Sequence, residues 1–255
     1  MTVDGWQACA AIVEKGDPDR FMATMSTRVV ARQRLFPLYA FNVEVSRAPW
    51  VTEEPMIAEM RLQWWRDALE EIAGGDKVRR HEVVTPLATV LRRAQVGPLD
   101  ALIDARRWDI GRDPFEDRAD FDSYIDATAG NLLWVAAEWF GCTQETPVRD
   151  IAYGAGVAQY LSAVPELEAR GRVPLVDGRP EAVQALAQDA LVRLKRGKAT
   201  YFMPAVREPL RATWQAEAIL AQAISDPRLV AEGALGLSGF GKRALLLRRT
   251  WFGGF

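Results

Sequence analysis

Histidine is almost absent from this sequence. His81 is the only one in 255 residues, which excludes multi-histidine metal sites. A Ser-His-Asp arrangement would need that single side chain. It lies in VRRHEVV, a polar connection ahead of a helix, where a solvated histidine is the expectation. Cysteine is nearly as scarce. Cys9 and Cys142 are far apart in the chain and supply neither a zinc site nor a disulfide framework. Neither charge is in large excess: the net charge is −2 and the pI about 5.7. That balance lacks the basic domain or stripe of nucleic-acid binders, so no nucleic-acid partner is expected. Long apolar runs are missing too. A membrane-spanning helix needs about 18–20 apolar residues, and the nearest candidate, LLWVAAEWFG, is interrupted by Glu138. The opening MTVDGWQACAAIVEKGD has no basic stretch ahead of a long apolar one. It reads as an amphipathic helix over 3–15 rather than a signal peptide. The expectation is a cytoplasmic protein without a transmembrane segment.

What is present is material for a large helical core. Hydrophobic residues make up 49% and nine are tryptophan, and large aromatics supply core bulk efficiently. Strand alternation is nearly absent, and helical periodicity dominates. The clearest helix follows Val51. Thr52 is the expected N-cap, Glu53 and Glu54 suit the positive helix start, and Pro55 is tolerated in the first turn. Leu62, Trp65, Leu69 and Ile72 recur at steps of three and four as an apolar stripe, which Met60 and Trp64 widen. Arg66 and Glu70 are spaced as an i,i+4 pair, and Gly74-Gly75 ends the element. Further helices are expected near 28–46, 82–95, 98–110, 120–140, 147–164, 180–196, 212–224 and 227–249. The polar connections 109–120 and 169–180 are too short and too unbiased to be flexible linkers. No repeat or low-complexity tract appears. The reading is one all-α domain, 1–255.

Several stretches, in order over roughly 20 to 175, carry a resemblance. They are RLFPLYAFNVEVSR (34–47), MRLQWWRDAL (60–69), LIDARRWDI (102–110), YIDATAGNLLWVAAEWFG (124–141) and GAGVAQYLSAVPELEARGRVPL (154–175). Together they resemble the squalene/phytoene synthase family, and most closely its complex I assembly factor-like branch. The resemblance implies a helical bundle of the isoprenoid-synthase kind around a central cavity. Active members join two isoprenyl diphosphates head to head with Mg²⁺. Such chemistry needs carboxylates that hold Mg²⁺ against the leaving diphosphate. Acids at i and i+3 or i+4 on each of two helices would form that clamp. In the family the first aspartate motif follows the Tyr-Ala-Phe segment, and the second follows a Gln-x-x-Asn segment.

Here both motifs are eroded. After Tyr39-Ala40-Phe41 the matching positions are Ser46 and Arg47, then Trp50, and Glu44 lies one turn too early. Pro49 disfavours continuing the same helix face. In the second motif Gln159 is present, but Ser162, Pro165 and Glu166 stand at the Asn, Arg and Asp positions. Asp100-x-x-x-Asp104 and Asp122-x-x-x-Asp126 have metal-like spacing, yet a chain with 34 acids produces such spacings by chance. They are expected to be solvated helix faces. No catalytic residue or metal ligand is therefore assigned. The candidates for contact with a prenyl or lipid-like ligand are Tyr39, Phe41, Glu44, Arg47, Trp64, Tyr124, Gln159, Ser162 and Glu166. Gly130, Gly154 and Gly156 either leave cavity space or allow close helix packing, with packing expected.

Besides a metal-independent binder of a lipid or prenyl ligand, two functions follow from the resemblance. One is a binding or assembly factor without head-to-head transferase activity and without a cofactor, with a membrane-bound protein as partner. The alternative is an active Mg²⁺-dependent transferase on prenyl diphosphates. The C-terminal GKRALLLRRTWFGGF also has two readings. It is either a last helix laid on the core, ended by Gly253 and Gly254, or a peripheral contact with an anionic membrane through Lys242, Arg243, Arg248 and Arg249 and the aromatics Trp251, Phe252 and Phe255.

Overall fold

The computed structural model describes residues 5–75, 77–252 and 254–255, and every regular element among them is helical. The first two positions of the expected helix 3–15 lie outside the described residues, as does Gly253. The chain groups into two compact units, Met1–Gly111 and Arg112–Phe255.

The first unit is built on α3 (Val29–Arg47), preceded by α1 (Trp6–Gly16) and α2 (Pro18–Met25). Residues 35–43 of α3 are all buried, so neighbours cover this helix on every side there, and Asn42 is the one polar amide among them. Trp6 stacks on Phe36 at 5.8 Å and Phe21 meets the same ring at 5.6 Å. The periodicity left α2 unassigned, although its start is readable: the Asp17 side chain accepts from the Arg20 amide at 3.0 Å, and Pro18 follows at the first helical position. As Pro49 suggested, α3 stops at Arg47 and a 3-10 turn, Ala48–Trp50, follows.

α4 (Pro55–Gly74) starts after Glu54, not Thr52. The Thr52 hydroxyl instead accepts from the Glu54 amide at 3.1 Å, a turn just outside the helix. Leu62, Trp65 and Leu69 are buried, but Met60 is exposed and does not join the stripe. Gly75 closes the helix in the left-handed conformation, φ 70°. The stretch 82–95 resolves into α5 (Val84–Val90) and a 3-10 turn, Arg93–Gln95. α6 (Val96–Ala105) gives way to a third 3-10 turn, Arg106–Asp109. Arg66 does not pair with Glu70. It makes a bidentate pair with Asp100 on α6, at 2.6 and 2.8 Å. That geometry is stronger than an exposed i,i+4 contact.

The second unit is organised around α9 (Glu145–Ala169), longer at both ends than expected. Ahead of it α7 (Arg118–Ile125) and α8 (Asn131–Glu138) are joined by a π-helical turn, Asp126–Gly130. α10 (Pro180–Lys198) lies along α9 so closely that a Cβ on Gly154 would sit 2.7 Å from Leu194 Cβ and 2.9 Å from the Ala190 carbonyl. A Cβ on Gly156 would meet Ala129 and Ile125 at 2.8 Å. These two glycines therefore serve close packing. Asp150, buried on α9, accepts from Nε and Nη2 of Arg196, each at 2.6 Å, and ties the same two helices. α11 (Pro204–Leu210), missed by periodicity because it is so short, precedes α12 (Ala216–Ser225). The single helix expected over 227–249 is two: α13 (Arg228–Ala231) and α14 (Gly239–Trp251). Gly233 and Gly236 take positive φ between them, and Ser238 caps the new helix by accepting from the Gly241 amide.

Candidate functional site

The candidate residues fall in both units. In the first, Glu44, Ser46 and Arg47 occupy the last turn of α3. Arg47 is exposed and its guanidinium lies 3.4 Å from Glu44 Oε1, while the Ser46 hydroxyl donates back to the Val43 carbonyl at 3.0 Å. The one carboxylate of this turn thus faces a guanidinium of the same helix. A cation beside it opposes the gathering of further positive charge.

The apolar candidates lie deeper. Phe41 is buried and meets Trp65 edge-on at 5.5 Å, and Trp65 in turn meets Trp64 at 4.9 Å. Trp64 is half-buried, with Arg79 over its ring at 4.7 Å and His81 at 5.0 Å. His81 is packed against both tryptophans rather than solvated, and its Nδ1 accepts from the Val83 amide at 3.1 Å. Tyr39 is fully buried under the Arg20 guanidinium, 5.1 Å from the ring. Its hydroxyl meets no hydrogen-bond partner among the described residues. Burial pushes the phenol up to about 12.

In the second unit Gln159, Ser162 and Glu166 follow one another at steps of three and four, so they share one exposed face of α9. The Ser162 hydroxyl donates to the Ala158 carbonyl at 3.0 Å. Glu166 accepts from Arg170 at 2.6 Å. Tyr124 stands apart from that face. It is buried in a cluster of rings with Phe115, Phe121 and Tyr160, and Tyr160 donates to the Pro174 carbonyl at 2.8 Å.

The acid pairs with metal-like spacing are occupied by arginines. Asp100 is held by Arg66, and Asp104 lies 2.6 Å from Arg107. Asp122 accepts from Arg118 at 2.8 Å and from the Tyr153 hydroxyl at 2.5 Å. Asp126 accepts from Arg149 at 2.9 Å. No group of three or more His, Cys, Asp or Glu side chains converges among the described residues. Two features escaped the sequence reading. The Arg118–Tyr153–Asp122 network includes a buried tyrosine, pushed up to about 12 by burial and by its bond to Asp122. Its local half, Arg118 four residues before Asp122, was legible, whereas Tyr153 arrives from α9. The Arg149–Asp126 pair spans 23 residues and had no local signal.

The ordered motifs and the helical architecture agree with a comparison of the whole sequence: the profile described as squalene/phytoene synthase matches residues 13–224. The chain belongs to the squalene/phytoene synthase family. The match crosses the boundary at Gly111 and takes in both eroded motifs. Among curated relatives, the NADH dehydrogenase (ubiquinone) complex I, assembly factor 6 homolog of Drosophila melanogaster is 28% identical over 205 residues, 75% of this chain and 60% of that protein. Complex I assembly factor 6 of Homo sapiens is 23% identical over 170 residues, 65% of this chain and 51% of that protein. This family member thus spans between half and three-fifths of the length of those relatives. Among solved structures, squalene synthase HpnC from Alicyclobacillus acidocaldarius superposes with a TM-score of 0.72 at 15% identity, covering 91% of this chain and 95% of that one. A dehydrosqualene synthase in complex with ligand superposes at 0.66, also at 15% identity, covering 97% and 96%. These two likenesses show the shared helical isoprenoid-synthase fold.

Proposed function

We propose that this protein is a family member that does not join prenyl diphosphates head to head and acts as a binding or assembly factor. The observation that carries the reading is the pair Arg47 and Glu44: a guanidinium stands where a metal-binding aspartate would, and it faces the nearest acid of the same turn. Glu166 and Arg170 support it, since the acid at the Asp position of the second motif is also faced by a cation. The pairs Asp100/Asp104 and Asp122/Asp126 are likewise bound to arginine. Residues in that state do not fit a Mg²⁺ clamp, because each carboxylate would have to give up a charge-assisted contact before binding a dication. The assembly role is supported by the curated relatives described as complex I assembly factor 6. On this reading residues 1–255 form one squalene/phytoene synthase-like domain that takes a prenyl or lipid-like ligand and works beside a membrane-bound partner.

The alternative, a Mg²⁺-dependent transferase on prenyl diphosphates, is favoured by the extent of the likeness to two solved synthases. One experiment separates the two. The purified protein is incubated with Mg²⁺ and farnesyl or geranylgeranyl diphosphate, and hydrocarbon products are extracted. The expected result is no product. Turnover that is lost on replacing Glu44, Glu166 or Asp104 by the corresponding amide would overturn the reading.

A further inference from the structure

The last described helix, α14, has no buried residue. Its outward face carries Phe240, Leu247 and Trp251, which are 84%, 61% and 83% exposed, and Phe252 follows at 83%. Phe240, Ala244, Leu247 and Trp251 are spaced four, three and four apart, so they form one stripe along the helix. A contiguous exposed apolar stripe with two large aromatics on a folded protein marks a contact surface. Arg243 and Arg248 lie on either side of the stripe, exposed and without an ion-pair partner among the described residues. The whole stretch from Gly233 to Phe255 holds four cations and no acid.

The opposite face of the same helix is tied down. Arg249 donates to Glu217 at 3.1 Å, and Phe255 meets Phe202 at 5.8 Å. The connection before the helix is pinned by two hydrogen bonds between Gln222 and Gly236, both 2.9 Å. The aromatic stripe is therefore presented outward by a helix with a fixed inward face.

We propose that this outward face of α14 docks on the surface of an anionic lipid bilayer. Charge selects the occupant. A second copy of the chain would bring an equally cationic, acid-free face against this one, and like charges would oppose pairing. A protein partner would need an apolar groove for one convex stripe and acids along both rims. The interface of an anionic bilayer offers both everywhere: apolar depth for Phe240, Leu247 and Trp251, and phosphate-level negative charge for Arg243 and Arg248. Tryptophan at such a position suits the headgroup boundary. α14 lies along the surface, and no described helix is long and apolar enough to cross a membrane.

The test is co-sedimentation of the full chain with vesicles of phosphatidylcholine alone, and of phosphatidylcholine and phosphatidylglycerol in equal parts, at low and high salt. The protein is expected to pellet with the anionic vesicles, to stay in solution with the neutral ones, and to be released by salt. F240S/W251S and R243Q/R248Q should each lower partitioning by about tenfold or more, the second with a weaker salt response. The substituted side chains are exposed, so thermal melting should not change. Pelleting equal on both lipids, no pelleting at low salt, or variants that pellet like the parent would overturn the proposal. So would salt-resistant self-association abolished by F240S/W251S, which would assign the stripe to a second copy. The unaltered chain alone decides the lipid and salt arms, whatever the variants' stability.

Discussion

Replacing Gly154 by alanine adds one methyl group to the tightest seam of the second unit. Two effects oppose each other. Alanine favours the helix over glycine by about 0.5–1 kcal/mol, which alone would stabilise α9. Against it, the new Cβ would lie 2.7 Å from Leu194 Cβ and 2.9 Å from the Ala190 carbonyl oxygen. Ordinary contact is near 3.5–4 Å, so α9 and α10 must separate by the better part of an ångström. One of the two atoms is backbone and cannot rotate away. Over-packing of this kind costs about 1–3 kcal/mol, so the clash wins and the variant should be less stable by about 1–2 kcal/mol. Gly239 on α14 is the control, because a Cβ there meets nothing within 4 Å beyond its chain neighbours and no proline follows it. Gly239→Ala should be neutral to stabilising, by up to about 1 kcal/mol. Urea unfolding with an unchanged m-value measures both. Should Gly154→Ala prove as stable as the parent or more so, the glycine would be lining open space, and the packing argument would fail.

Two further outcomes are expected. Trp65→Ala removes a buried ring packed against Phe41, Trp64 and His81 and should destabilise by about 3–5 kcal/mol; near-parental melting would show the α4 stripe to be misread. Lys198, 14% exposed beside Glu217 and Arg249, is brought down to about 8 by burial first and by Arg249 second, with Glu217 opposing. Its folded value lies below the ordinary 10.5, so the unfolded chain holds the proton more tightly across that window. The burial penalty is fully present below about pH 8 and is relieved as pH rises towards 10.5, a gain on the order of 1–3 kcal/mol. Lys198→Met should lack this rise. The difference between parent and variant isolates Lys198 from Cys9 and Tyr39, whose raised values push the other way at alkaline pH. Identical pH profiles would refute the assignment.

The sequence alone determined what depends on neighbours along the chain. The spacing of apolar residues placed α3, α4, α9 and α10, because such spacing is a local pattern. That Ser46, Arg47, Ser162 and Glu166 stand at the positions matching the family's motifs was visible, because motif spacing is a property of the string. Even the end of α3 was legible in Pro49. Choices between partners were not. Arg66 had Glu70 one turn away and took Asp100 instead, since a bidentate pair across two packed helices outweighs an exposed contact on one. Asp126 had Asp122 as its apparent companion, and the fold gave it Arg149. Gly154 could have meant space or contact until α10 lay against it. The stretch 227–249 scanned as one helix, and Gly233 and Gly236 broke it where the chain turns back to Gln222. The outward stripe of α14 became a surface only because nothing among the described residues covers it. Each of these was decided by groups brought close by folding, whose competition for one contact no local pattern encodes.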